Sequence, residues 1–160
     1  MDELEVIVID NGSQTIKAGY SGEDAPRSVF PSMLGQIADR EAYRGQEIKD
    51  SYVGSEAQEH REMLALTYPI QRGMVTDWDA MEKLWEYTFT NELHVSPEAS
   101  NMPVLLTDAP LNPKVNRERM AQIMFENFLQ PCILEVDICF SLFFGASGFL
   151  ALSGIECSGH

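Results

Sequence analysis

Basic residues are scarce in this chain. Eleven Lys+Arg stand against 25 Asp+Glu, a formal net charge of −14 over 160 residues. A surface with no basic surplus has no counterions to displace from a phosphate backbone, which argues against nucleic acid as a partner. The same balance suits basic partners, or anions carried through a divalent cation. Cysteine is almost absent: three residues, all at or after Cys132. An odd, late set gives no disulfide framework and suits a reducing compartment. The opening Met1-Asp2-Glu3-Leu4-Glu5 lacks the basic and apolar regions of a secretory leader, so none is expected. Long apolar runs are missing with one exception, the uncharged stretch 138–155. Gly145, Ser147, Gly148, Ser153 and Gly154 interrupt it, and its edges carry Glu135, Asp137 and Glu156 with no Lys or Arg. A buried helix followed by a strand explains it better than a membrane span.

Enough remains to build a core, since 44% of the residues are hydrophobic. Val6-Ile7-Val8-Ile9 is a continuous apolar run, as in a strand covered on both faces. Asp10-Asn11-Gly12-Ser13 reads as a turn, 15–20 as a second strand, and 27–30 as a third strand stopped by Pro31. Between Gly35 and Lys49 the pattern dissolves into unperiodic charge, a mobile excursion or small insertion. Ser55-Glu56-Ala57-Gln58 has capping-box spacing and predicts a short helix to about Met63. A stronger helix begins at Thr76 or Asp77, with Met81, Leu84, Trp85, Thr88 and Phe89 on one face. Then come a buried strand at 104–107 and a helix capped by Asn112 with Pro113 in its first turn. That helix places Met120, Ile123, Met124 and Phe128 on one side. A strand at 132–136, a helix at 137–146 and a last strand at 149–152 complete the expectation. The order β-β-β-α-β-α-β-α implies an α/β fold, a mixed sheet with helices on its faces.

The chemistry candidate is the turn Asp10-Asn11-Gly12-Ser13 with Gln14 and Lys17 behind it. Backbone N–H groups and a hydroxyl at such a turn suit an anion, Asp10 suits a metal's water shell, and Lys17 neutralises phosphate charge. By itself the same string is also a common hairpin turn. Cys157-x-x-His160 with Cys132 and Cys139 fits no zinc-finger spacing. His60 and His94 lie among polar residues and are read as surface, while Trp78 and Trp85 are expected beneath the sheet.

Asp10-Asn11-Gly12-Ser13, Lys17-Ala18-Gly19, Asp24-Ala25-Pro26-Arg27, Val29-Phe30-Pro31-Ser32 and Lys49-Asp50-Ser51-Tyr52-Val53-Gly54 closely resemble actin. So do Tyr68-Pro69-Ile70, Trp78-Asp79-Ala80-Met81-Glu82-Lys83, Asn91-Glu92-Leu93, Leu105-Leu106-Thr107-Asp108-Ala109-Pro110-Leu111-Asn112-Pro113, Asn116-Arg117 and Gln122-Ile123-Met124-Phe125-Glu126. The resemblance to actins and actin-related proteins runs to about Gly148. It implies one ribonuclease-H-like half of an actin-type ATPase fold, with a mixed five-stranded sheet and a small inserted subdomain. Residues 1–34 and 69–148 would form the first-half core and 35–68 the insertion with a DNase-binding-loop-like segment. Residues 149–160 would be a truncated start of the second half, leaving the 138–155 stretch partly exposed and the isolated chain prone to aggregate.

The same resemblance implies binding of ATP with Mg or Ca through Asp10, Asn11, Gly12, Ser13, Gln14 and Lys17, with Asp10 as the metal residue. It implies a cytoplasmic, cytoskeletal role in filament or complex assembly, with actin, actin-binding proteins or a chaperone as partners. Departures qualify this. Gln14 replaces a glycine of the phosphate loop. Cys139 stands where the family orients water with glutamine, so a slow ATPase step is expected to be impaired and no catalytic residue is assigned. The second phosphate loop is degenerate at 153–160, where Glu156 is the remaining carboxylate. Asp39, Arg40, Glu41, Tyr43, Arg44 and Glu47 occupy a loop that is small and apolar in actin, which disfavours burial in a filament contact. Gln71-Arg72 stands in place of the family's histidine. The alternative implied is a non-catalytic half-actin that binds actin-binding proteins or a partner completing the fold.

Overall fold

The computed structural model describes residues 5–96 and 102–128, together with the backbone of 133–137. Three strands open the chain: β1 (Ile7–Asn11), β2 (Thr15–Tyr20) and β3 (Ser28–Pro31). They pair antiparallel, with Asp10 opposite Lys17 and Ile16 opposite Phe30. Pro31 does not stop the third strand but ends it. The place tolerates proline because β3 is an edge strand, where a missing N–H breaks no ladder.

On the other side of β1 the chain adds β9 (Val104–Asp108), then β10 (Ile133–Asp137), both parallel to it. The sheet order is β10-β9-β1-β2-β3. Helices α2 (Trp78–Tyr87) and α3 (Lys114–Glu126) cover one face. Ile7, Ile9, Val104 and Leu106 meet Met81, Leu84, Trp85 and Phe89 of the α2 segment and Met120, Ile123, Met124 and Phe128 of the α3 segment. All these side chains are buried, as the helical spacing predicts. Val8 and Leu105 alternate to the opposite face and are buried too, which explains the unbroken apolar runs in both strands.

The region from 34 to 75 holds more structure than its composition announces. β4 (Leu34–Ile37) pairs antiparallel with β5 (Tyr52–Val53) and β6 (Leu64–Thr67), and β7 (Ile70–Gln71) with β8 (Met74–Val75). Between β4 and β5 lies a single 3-10 turn, Glu41–Tyr43. Tyr52, Ala57 and Leu64 form a small core beneath the three-stranded sheet, separate from the main one.

Two helix starts differ from the sequence expectation. The short helix α1 is Ser55–Glu59, and its N-cap is Gly54 rather than Ser55, with no side-chain cap bond. Gly54 has φ 59°, and a Cβ there would stand 2.9 Å from Phe30 Cδ2, so backbone freedom and space both demand glycine. The α3 cap is Pro113, again without a side-chain bond. Asn112 instead donates to Asp108 Oδ1 at 2.5 Å and accepts from Asn116 at 2.9 Å. At α2 Asp77 caps through its side chain, which accepts the Ala80 N–H at 3.0 Å. The last turn of α2 widens into a π turn, Thr88–Glu92. Among the described residues no helix is long and apolar enough to cross a membrane. The stretch 138–155, the expected elements at 137–146 and 149–152, Cys139 and the 153–160 loop lie outside the described residues, apart from Asp137 closing β10.

Candidate functional site: the turn between β1 and β2

The carboxyl ends of β1 and β9 lie side by side, and buried polar residues gather there. Asn11, Ser32, Thr107 and Asp108 are each at most 7% exposed. Polar groups are rarely buried unless bonded, so each can be asked what it holds. Asn11 lies under the turn. Its Oδ1 accepts the indole N–H of the fully buried Trp85 at 3.1 Å, and its backbone N–H is bonded to Thr107 Oγ1 at 2.9 Å. The side chain of Asn11 is thus committed to the fold.

Gly12 forms the tightest point. A Cβ at this position would lie 2.4 Å from the Thr15 carbonyl oxygen, a contact no side chain survives. Ser32 ties the turn from below, donating its hydroxyl to the Gly12 carbonyl at 2.6 Å and its N–H to the Gln14 carbonyl at 2.9 Å. With these carbonyls engaged, the N–H groups of Ser13 and Gln14 have no partner among the described residues. Ser13 Oγ accepts the Gly73 N–H at 2.9 Å, which leaves its own proton to donate. Gly73 and Arg72 are the tip of the β7–β8 hairpin, both with positive φ, 76° and 54°.

Charge sits at the rim. Lys17 Nζ lies 3.9 Å from Asp10 Oδ2, with the two side chains 46% and 34% exposed. An exposed pair at that distance contributes little to stability and leaves both groups accessible. Gln14 is exposed at the crest of the turn. Asp10, Gly12, Ser13, Gln14 and Lys17 are therefore brought together at one surface, with Asn11 beneath.

Sequence reasoning missed two neighbours. Thr107 Oγ1 donates to Asp10 Oδ1 at 2.8 Å. Asp108, 3% exposed, meets Arg117 Nε at 2.7 Å and receives the Asn112 amide, clamping the start of α3 to the end of β9. The available signal was a Thr-Asp pair closing an otherwise apolar strand, Val104-Leu105-Leu106-Thr107-Asp108. Farther off, burial first and the Glu92 hydrogen bond second push the Tyr87 phenol up to about 12. Ser28 also donates to Glu92, so the π turn is held from two sides.

The donor set is what a phosphate-bearing ligand with a cation requires: open N–H groups, a hydroxyl proton, an ammonium and a carboxylate. A family model described as actin matches residues 1–146 of the 160. With this turn and mixed sheet inside the matched stretch, the chain belongs to the actin family.

Proposed function

We propose that the β1–β2 turn binds the phosphates of ATP with Mg or Ca, and that the protein is an actin-like cytoskeletal protein acting in filament or complex assembly. The observation that carries this reading is that the N–H groups of Ser13 and Gln14, beside Asp10 and Lys17, have no partner among the described residues. Asp10 would meet the cation, Ser13 and Lys17 the phosphate oxygens, and Gly12 keeps the backbone close. A bound cation would supply charge neutralisation at the phosphates, and the chain's own residues orient and bind. Gln14 adds a side chain where the family has none, at an exposed position, so it borders the ligand rather than filling the turn.

Residues 1–34 and 69–148 are proposed as one ribonuclease-H-like core and 35–68 as an inserted unit. The separate sheet β5-β4-β6 and its own small core support that division. The proposed start of a second half, 149–160, lies outside the described residues. Hydrolysis is proposed to be slow because Cys139 aligns with the water-orienting glutamine of the family. Cys139→Gln is then expected to raise phosphate release from ATP, and an unchanged rate removes that assignment.

The test of the site is calorimetric titration of the chain with ATP and MgCl2 beside Lys17→Ala. Binding near the micromolar range, about −8 kcal/mol, that is lost in the variant supports the site. No heat from a protein shown folded by circular dichroism overturns it.

A second reading, an interaction module that binds actin-binding proteins without catalysis, is favoured by the loop from 39 to 50. Two of its ion pairs are internal, Arg40 with Asp50 at 2.6 Å and Arg44 with Glu41 at 3.0 Å, while Lys49 reaches Glu56 outside it at 2.5 Å. A loop so densely charged resists burial in a filament contact but not one-to-one binding at its rim. Sedimentation in MgCl2 and KCl separates the two, since pelleting filaments exclude the second reading.

A further inference from the structure

We propose that Thr107 is a positioning residue of this site: its hydroxyl fixes the Asp10 carboxylate so that one oxygen is held by the protein and the other is left for a hydrated divalent cation. The inference rests on the phosphate-site reading above and deepens it by naming what sets its dependence on the cation.

Thr107 belongs to β9, the strand beside β1, and is 7% exposed. Its Oγ1 accepts the Asn11 N–H at 2.9 Å and donates to Asp10 Oδ1 at 2.8 Å. A hydroxyl has one proton, and with the Asn11 amide on a lone pair that proton is aimed at the carboxylate. Rotating the side chain about χ1 would take Oγ1 away from the Asn11 N–H, so the oxygen itself is held in place. Bonds to a charged acceptor are also the stronger kind, roughly twice a neutral one.

The second oxygen is different. Among the described residues no hydrogen bond is made to Asp10 Oδ2; Lys17 Nζ lies 3.9 Å from it, and about a third of the side chain stays open to solvent. Asp10 is thus a carboxylate with one oxygen occupied and one accessible. Such a group would meet a hydrated cation through Oδ2, with metal-bound water as donor, while Oδ1 stays oriented by the Thr107 hydroxyl.

The substitutions are chosen to separate hydroxyl from shape. Thr107→Val keeps the volume and loses the donor, whereas Thr107→Ser keeps the donor and loses a methyl. The full chain and both variants are titrated with ATP in excess MgCl2, and again in EDTA. Thr107→Val is expected to lose about tenfold in affinity with Mg²⁺ and less than about twofold without it. Thr107→Ser should stay within about threefold of the parent with Mg²⁺. A residue that only supports the fold would weaken both titrations alike, and an undiminished Mg²⁺ advantage in Thr107→Val overturns the proposal. If that variant does not fold, Thr107→Ala takes its place.

A double-mutant cycle of Thr107→Val with Asp10→Ala, read by urea unfolding, tests the contact without any ligand. Coupling of at least about threefold in the folding equilibrium is expected, and additivity overturns the proposal. Should the parent take up no ATP under either condition, the phosphate-site reading falls by itself. The cycle then still decides whether Thr107 fixes the Asp10 carboxylate.

Discussion

Trp85 and Asn11 share the most consequential single contact beneath the turn. The indole is fully buried and its N–H reaches Asn11 Oδ1 at 3.1 Å, so Trp85→Phe removes core volume and strands a buried carbonyl together. A loss of about 2–4 kcal/mol in urea unfolding is expected, and one below about 1 kcal/mol would show that the amide finds another partner. Gly12→Ala acts by collision instead. The added carbon meets backbone at 2.4 Å, which cannot swing aside, so the turn itself must open. A cost of about 1–3 kcal/mol is expected, together with shifted amide resonances at Ser13 and Gln14. Tyr87 carries the pH dependence. Its folded pKa, pushed by burial to about 12 from 10.0, means that folding holds the proton more tightly. The associated stability is complete below pH 10 and is lost as pH rises through about 12. Denaturant midpoints recorded from pH 9 upward should fall more steeply for the parent than for Tyr87→Phe, and parallel curves would remove this cause.

Helix ends show where sequence patterns translate into bonds and where they do not. Asp77→Ala is expected to cost about 1 kcal/mol, since Asp77 caps α2 in fact. Ser55→Ala should be near neutral in the same assay, because the capping-box spacing at Ser55 is not realised. Gly54 takes the cap position, forced by Phe30 from another element, and no local pattern contains that contact. The apolar faces of α2 and α3 and the runs at 7–9 and 104–106 were legible because period and burial coincide there. β4, β5 and β6 were not, since strands of two to four residues owe their existence to pairing across 17 to 33 positions. The turn was legible through Asp10, Ser13 and Lys17. Thr107 was not, because its role arises only when a strand 97 residues away lies alongside. Arg72 offers a further test: left-handed φ at both Arg72 and Gly73 suits Asn-Gly, so Arg72→Asn should stabilise the hairpin by a few tenths of a kcal/mol. A lower unfolding midpoint would mean that the arginine contributes elsewhere.

Across the whole molecule, the polar surface and the site are arranged on one sheet whose strands come from distant parts of the chain. β1 joins β2 through a tight turn, yet its other edge is filled by β9, with Asn11 and Thr107 separated by 96 positions. That arrangement has a cost in time. The first hairpin is complete as soon as some twenty residues exist, but the strand that carries Thr107 does not. At ordinary rates of synthesis, roughly 5–20 s pass between the emergence of Asp10 and that of Thr107. For that interval the outer edge of β1 is a bare row of amides and carbonyls flanked by Val6, Ile7, Val8 and Ile9. Closing so long a loop is slow compared with hairpin formation, which makes docking of β9 the natural rate-limiting event. The β1–β2 turn is among the first pieces made, and the contacts that hold it in place are among the last to form.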